Sequence, residues 1–501
     1  MRLLRQFPVF VILLLGASAL MLVPAAHAAH LRNWTVARDF LYHGVFFALF
    51  AVILGLATMN RRPRIPARYY LATLLGAYVL LPLVLAAPVA ALIPGLGLAG
   101  GYFEMLSCLT TTGTTLFDRP QIVPDPVHLW RALIGWGGGF MVLVVGFAIL
   151  EPLALGGWEV SQSGEDRRRT ARTGTIEEAN QRIVRGVRGI GPIYCGMTAV
   201  LMLLLIAAGD RPFIALCHAM AVLSTSSVSP VGGLAGSQAG RLGEFAMLLF
   251  LLPAVSHRVM YHRLRRRGRL PLIDDPQVQL MLISVLGITA VLFLRSYMGA
   301  AGIERQHDIA AALRAIWGSI FTVLSFLTSA GFVSQDWPTM QIWSDLPNPG
   351  IVLLGVAVMG GGIATTAGGI KLLRLYALYR HGLREMDKLI HPTAIGRRGQ
   401  GDHLIRKGGT RIAFMVLMLF LIAIAVVMMG LALAGLGFLD SLAFAIAGLT
   451  TTGPAAQALG SDLAVADLNA AAKAIFGAAM IVGRMDVLVM IALFNPLYWR
   501  F

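Results

Sequence analysis

The sequence predicts an all-α polytopic membrane protein made of four pseudo-symmetric repeats. Each repeat is a span, a short re-entrant helix, a polar loop and a second span, and two extra transmembrane helices stand at the N-terminus. Three observations carry this reading. The 501 residues are 57% hydrophobic and only 13% charged, far from the balance of a soluble domain. Apolar segments of about the length a bilayer requires recur at about 7–26, 40–59, 69–93, 131–153, 190–208, 241–261, 278–298, 349–373, 411–436 and 471–495. A threonine-rich stretch, Leu109-Thr110-Thr111-Thr112-Gly113-Thr114-Thr115, returns as Leu449-Thr450-Thr451-Thr452-Gly453-Pro454, with echoes at Ser224-Thr225-Ser226-Ser227-Val228 and Leu327-Thr328-Ser329-Ala330-Gly331-Phe332. The successive intervals from Gly113 to Ser226, Gly331 and Gly453 are 113, 105 and 122 residues, a four-fold internal repeat.

Taken in order, Arg2 and Arg5 precede an apolar run that ends at Ala26-His27-Ala28. That pattern resembles a signal peptide, but the run is long enough to span, and it is read as a retained first helix. The two N-terminal helices occupy 1–68. The repeats follow at 69–189, 190–276, 277–410 and 411–501. Helical runs at about 101–110, 212–223, 310–327 and 438–449 are too short or too interrupted to cross, and each leads into one of the four polar loops. Basic residues mark the cytoplasmic side. Arg61 to Arg68 and the loops 156–189, 257–271 and 371–411 hold 27 of the 41 Lys and Arg. This puts both termini in the cytoplasm and all four polar loops outside. Runs such as Arg167-Arg168-Arg169 and Arg265-Arg266-Arg267 then set topology and touch lipid headgroups, and the net charge of +16 needs no nucleic acid to explain it. Cys108, Cys195 and Cys217 have no metal-ligand spacing and are expected to be buried thiols.

Four short loops offering carbonyls and hydroxyls around one axis can replace the hydration shell of a monovalent cation. Glycine suits such a loop because turning neighbouring carbonyls inward requires alternate backbone hands, and glycine reaches positive φ without steric cost. The short helices add to this, since a helix C-terminus carries about half a negative charge. Glu104 and Asp440 are read as anchors of their helices rather than ion ligands.

Residues 360–369 include five glycines. At ~1 kcal/mol each relative to alanine, a continuous helix there would be poor by about 5 kcal/mol, so the eighth span is expected to break beside a protein-lined cavity. Arg484 is a guanidinium in an apolar span, where a basic residue costs ~2.5–3.5 kcal/mol on lenient scales. It should face the bundle interior, either in the pore or paired with Asp486 or short-helix carbonyls.

Nearly the whole chain resembles the TrkH membrane subunits of the Trk, Ktr and HKT superfamily of potassium transporters. The resemblance rests on Thr110-Thr111-Thr112-Gly113, His218-Ala219-Met220, Thr450-Thr451-Thr452-Gly453-Pro454, Gly361 through Lys371, and Gly483-Arg484-Met485-Asp486 through Tyr498-Trp499-Arg500. It implies K⁺ uptake through a pore whose filter comprises Thr111, Thr112, Gly113, Thr225, Ser226, Ser329, Ala330, Gly331, Thr451, Thr452 and Gly453. It also implies an intramembrane gate containing Gly361, Gly362, Thr365, Thr366, Gly368, Gly369 and Lys371, with Arg484 below the filter opposing cation passage. No cofactor is implied beyond the transported K⁺. The expected partners are the bilayer, a second copy in a homodimer, and a TrkA-like cytoplasmic nucleotide-binding regulatory ring, and the expected location is the bacterial inner membrane.

Two departures from the family pattern stand out. Aligned on His218-Ala219-Met220, Ser226 falls where relatives carry the second filter glycine, which points to reduced discrimination against Na⁺. The sixth span reads Leu251-Leu252-Pro253-Ala254 where relatives tend to carry glycines. These changes leave a second reading open, a non-conducting or partner-dependent regulatory subunit. An enzyme is not expected, because no nucleophile elbow, phosphate loop or intramembrane metal cluster is present. His43, His218, His257 and His262 are dispersed and are read as structural or interfacial.

Overall fold

The computed structural model describes residues 7–59, 66–161, 176–261, 272–299, 309–344, 348–391, 408–459 and 463–495. Arg167-Arg168-Arg169, His262, Arg265-Arg266-Arg267 and Tyr498-Trp499-Arg500 lie outside these.

Two N-terminal helical segments come first. Val9–Leu20 and Leu22–His30 form one apolar run of 22 residues, packed against Trp34–Thr58, whose start is capped by the Asn33 side chain on the Val36 amide at 3.3 Å. Four copies of one unit follow. Long helices Pro66–Leu92, Ile176–Ala207, Pro276–Gly299 and Gly409–Leu433 each lead to a helix, Gly97–Leu109, Pro212–Ser224, Ile309–Leu327 or Phe438–Thr450, that ends at a polar loop. Helices Asp125–Val145, Gly240–Leu251, Gly350–Met359 and Ala470–Met485 then descend from the loops. Local chemistry marks several starts: Pro212 opens its helix, where a missing N–H is harmless, and Asn469 caps Ala470–Met485 through the Ala472 amide at 2.8 Å.

Outward faces are apolar and exposed, as with Leu203 at 64%, Val291 at 67% and Leu433 at 84%. Such a belt is stable in lipid and not in water. Cys195 belongs to this outer surface and is exposed, contrary to the expectation of three buried thiols, whereas Cys108 and Cys217 are buried. An apolar solvent removes the need to hide it.

The ten expected spans are not ten continuous helices. Among the described residues, eight helices are long and apolar enough to cross, and the pair Ala470–Met485 and Val487–Phe494, bent by 92°, adds a ninth. The sixth expected span stops at Leu251, because Pro253 removes a donor and tightens Leu252–Ala254 into a 3₁₀ turn. The eighth stops at Gly360, as its glycines require. Ile309–Leu327 is long enough to cross, yet it occupies the place of the three shorter helices and ends on the third loop. All four descending helices break: at the π-turn Gly146–Leu150, at Leu252–Ala254, at Gly360, and at Asp486 with φ 69°.

Candidate ion pathway

The four loops share one helix ending. A left-handed residue follows each short helix: Thr111 (φ 55°), Thr225 (51°), Ser329 (55°) and Thr451 (52°). The next amide then donates back five residues at 2.9 Å, Thr112 to Ser107, Ser226 to Ala221, Ala330 to Ser325 and Thr452 to Ala447. This closure satisfies the last carbonyls of the helix. Positive φ is uncommon and strained for a residue other than glycine, and three threonines and a serine held so at one place make the loops a candidate functional site. Two residues on, Gly113 (φ 75°), Ser227 (55°) and Gly331 (67°) turn left-handed again, while Gly453 opens a 3₁₀ turn.

This register corrects the sequence alignment. Ser227, not Ser226, stands at the glycine position, because the helix end at Thr225 fixes the count. Ser226 is equivalent to Thr112, Ala330 and Thr452, so it remains inside the loop.

The loops close a ring in chain order. A Cβ on Gly113 would lie 1.9 Å from the Ser226 carbonyl oxygen. The Ser227 hydroxyl donates to the Ala330 carbonyl, and a Cβ on Gly331 would meet the Pro454 ring at 2.8 Å. The Gly453 amide donates to the Thr112 carbonyl at 2.7 Å, returning to the first loop. Thr111, Thr112, Thr225, Ser226, Ser329, Ala330, Thr451 and Thr452 are fully buried. Glycines bring the descending helices against this ring: Cβ atoms on Gly138 and Gly483 would lie 2.2 Å and 2.3 Å from the equivalent carbonyls of Leu109 and Leu449.

Three of the loops are braced from behind by a carboxylate. Glu104 accepts from the Thr115 hydroxyl at 3.0 Å and the Leu116 amide at 2.9 Å, and pairs with Arg131 at 2.7 Å, both side chains buried. It is an anchor, as the sequence suggested. Asp210 accepts from the Ser237 hydroxyl (2.9 Å) and the Gln238 amide (3.0 Å) and lies 3.6 Å from His218, whose Nε2 is 2.9 Å from the Ser229 hydroxyl. Burial pushes the Asp210 carboxyl up, but the nearby His218 ring and the hydrogen bonds from Gln238 and Ser237 outweigh it and hold it below its ordinary value. Glu244 accepts from the Trp317 indole (2.7 Å), the Ser334 hydroxyl (2.8 Å) and the Gln335 amide (2.7 Å). Asp210 and Glu244 were missed in the sequence, where the one available signal is a lone acid beside an apolar helix. Asp440 sits in the first turn of the fourth short helix, where the helix dipole favours an acid.

Directly beneath the ring runs the segment from Gly360 to Lys371. Its first half is pinned by the second repeat, since the turn at Pro253 frees the Ala254 carbonyl to accept from the Gly362 amide (3.0 Å) and the Thr365 hydroxyl (2.9 Å). The altered sixth span thus seats this segment. The Gln277 side chain accepts from the Ile363 amide at 2.9 Å, and the Tyr261 hydroxyl lies 2.9 Å from the Ala364 carbonyl. Gly360 packs directly on Gly369 and the Gly361 amide donates to the Gly368 carbonyl at 3.3 Å, closing the base of the segment, and the Gly368 amide donates upward to the Ser329 hydroxyl at 2.8 Å. Arg484 donates to the Thr366 carbonyl at 2.6 Å and Lys371 to the Ala367 carbonyl. Asp486, the expected alternative partner of Arg484, is instead 2.6 Å from Arg374. Ala364, Thr365, Gly368, Lys371, Arg484 and Asp486 are among the residues lining a cavity of about 50 Å³ open to water centres, room for a few waters.

Comparison with known proteins fits this geometry. A sequence model of the TrkH family, described as a cation transport protein, matches residues 243–499. The chain is similar to the Trk system potassium uptake protein TrkI of Halomonas elongata, 29% identical over 438 residues and covering 85% of this chain and 82% of that one. It is also similar to the Trk system potassium uptake protein TrkH of Escherichia coli K12, at 25% over 435 residues, 85% and 84% of the two chains. The fold matches the crystal structure of the potassium transporter TrkH from Vibrio parahaemolyticus with a TM-score of 0.78 and 22% identity, over 99% of this chain and all of that one.

Proposed function

The chain belongs to the TrkH family of cation transport proteins, and from that premise we propose that it takes up potassium through the ring of four loops. It is a multi-pass membrane transporter and not an enzyme. The observation that carries the reading is the closed ring of four loops with one shared helix ending.

A potassium ion entering the ring exchanges water for carbonyl and hydroxyl oxygens of Thr111, Thr112, Gly113 and their counterparts Thr225, Ser226, Ser329, Ala330, Gly331, Thr451, Thr452 and Gly453. Rigid loops braced by Glu104, Asp210 and Glu244 hold those oxygens in place, so little reorganisation accompanies binding. The C-terminal ends of the short helices favour positive charge at the same spot. Below, the segment containing Gly361, Gly362, Thr365, Thr366, Gly368, Gly369 and Lys371 blocks the path, and the charges of Lys371 and Arg484 oppose a cation until the segment withdraws. Passage requires that movement and no covalent chemistry.

Ser227 is where selectivity departs from the family pattern. A left-handed serine costs ~1–2 kcal/mol relative to glycine, and its hydroxyl engages the Ala330 carbonyl, one of the oxygens that would face the ion. The expected result is reduced discrimination between K⁺ and Na⁺. Family membership supports the bacterial inner membrane as location, and the distribution of basic loops supports cytoplasmic termini. Family membership supports a homodimer seated on a TrkA-like nucleotide-binding ring.

The test is tracer uptake of rubidium and sodium into liposomes holding the purified protein, beside Ser227→Gly. Rubidium uptake that sodium inhibits, with preference for rubidium rising about 5- to 30-fold in the glycine variant, is the expected outcome. Equal preference in both proteins refutes the role of Ser227. Uptake of neither ion replaces the transport reading with that of a non-conducting or partner-dependent subunit.

A further inference from the structure

The inner residues of the four loops share a backbone position, but their hydroxyls do not share an environment. Those of Thr111 and Thr451 make no hydrogen bond to the protein, and that of Thr225 donates to its neighbour, the Ser224 carbonyl, at 2.7 Å. The fourth, Ser329, accepts the Gly368 amide at 2.8 Å. It is also the one serine among three threonines. The segment beneath the ring therefore grips the ring's inner layer of hydroxyls at one residue.

That grip lies on the segment's weakly held half. Gly362, Ile363, Ala364 and Thr365 are tied to Ala254, Gln277 and Tyr261. From Thr366 to Gly369, hydrogen bonds to the rest of the protein run to Arg484 and Ser329 among the described residues. Gly368 also sits so close that a Cβ there would lie 1.9 Å from the Thr450 carbonyl oxygen. Residues 366–369 thus have fewer bonds to the rest of the protein than 362–365, besides those to Gly361 and Lys371 within the segment, and Ser329 is one of the two outside partners they would leave in moving.

We infer that the Ser329 hydroxyl is a latch that couples cation occupancy of the inner ring to the position of residues 366–369. The inference rests on the pathway reading above. A cation at the inner ring draws the lone pairs of the Ser329 oxygen, while the Gly368 N–H aims its positive end at that same oxygen. The ion and the amide hydrogen repel one another across one shared acceptor, so a loaded inner ring weakens the latch. Linkage makes the effect reciprocal: a latched segment weakens ion binding in the inner ring by the same factor. Potassium arriving from above thereby loosens the segment that blocks its exit.

The test is hydrogen–deuterium exchange of peptides covering 360–371 in the full-length protein, in K⁺ and in N-methylglucamine, with rubidium uptake measured on the same preparations. In wild type, K⁺ should speed exchange of this segment about five- to tenfold, the worth of one hydrogen bond. Ser329→Ala should exchange fast in both salts, with no K⁺ dependence. Thr111→Ala removes an equivalent hydroxyl that makes no hydrogen bond to the segment, and should stay slow without K⁺. Ser329→Thr keeps the acceptor and should restore the K⁺ dependence. Rubidium uptake with slow exchange in Ser329→Ala, or equally fast exchange in Thr111→Ala, overturns the latch and leaves the pathway standing. If Ser329→Ala does not fold, wild-type exchange that ignores K⁺ overturns the latch by itself. Absence of rubidium uptake in wild type overturns the pathway, and the latch with it.

Discussion

Arg374→Met should be among the most destabilising single substitutions in this protein. Arg374 is 1% exposed and bonds Glu159 and Asp486 at 2.6 Å each, with a further bond to the Ile370 carbonyl at 3.2 Å. It joins the turn holding Glu159 within the first repeat, the helix leaving the blocking segment, and the bend at Asp486. At an effective dielectric of about 20, each charge contact at 2.6 Å has a gross attraction of about 6 kcal/mol, most of which offsets desolvation. Methionine fills the aliphatic volume but strands two carboxylates whose side chains are 3% and 15% exposed. Stranding a buried charge costs about 3–5 kcal/mol. The assay is unfolding by SDS titration in mixed micelles, followed by tryptophan fluorescence. Adding Glu159→Gln and Asp486→Asn to Arg374→Met should recover at least half the loss, because neutral amides need no counter-charge. A loss under about 1 kcal/mol for Arg374→Met, or no recovery in the triple variant, refutes the argument.

The same reasoning applies at the outer face. Glu104→Gln leaves Arg131 buried without its counter-charge, so stability should fall by about 3–5 kcal/mol, and rubidium uptake should fall with it as one of Thr115 and Leu116 meets an amide nitrogen in place of its acceptor oxygen. Uptake and unfolding midpoint equal to wild type would show that the first loop needs no brace. Asp210 gives a pH dependence. Its folded carboxyl titrates below its ordinary value of 3.8, so the stabilisation is complete above that pH and is lost as pH falls through the lower folded value. Thermal inactivation should therefore accelerate below about pH 4, and Asp210→Asn should flatten that acid limb while lowering stability at neutral pH.

Much of the architecture was legible in the sequence because its signals are local. Span length is a property of twenty consecutive residues, and three of the four loops carry a threonine followed within three residues by glycine. The break at Gly360 follows from five glycines in ten positions, and the inward placing of Arg484, half-buried in the structure, from one charge in an apolar run. The second loop shows where local reading stops. His218-Ala219-Met220 identified the repeat but set the register one residue off, and only the helix end at Thr225 places Ser227 at the position equivalent to Gly113.

What the tertiary structure decided is pairing across long stretches of chain. Arg374 meets Glu159 from 215 residues away, Gly368 meets Ser329 from 39, and the Thr365 hydroxyl meets Ala254 from 111. Pro253 reads in the sequence as damage to a span, yet in the fold the helix ends at this turn and leaves the next residue's carbonyl, that of Ala254, to seat the blocking segment. Hydrophobic length and backbone preference act within a turn or two of helix and are written into neighbouring residues. A buried carboxylate or hydroxyl takes whichever partner the packed helices bring within 3 Å, and that choice exists only once the repeats have closed around their axis.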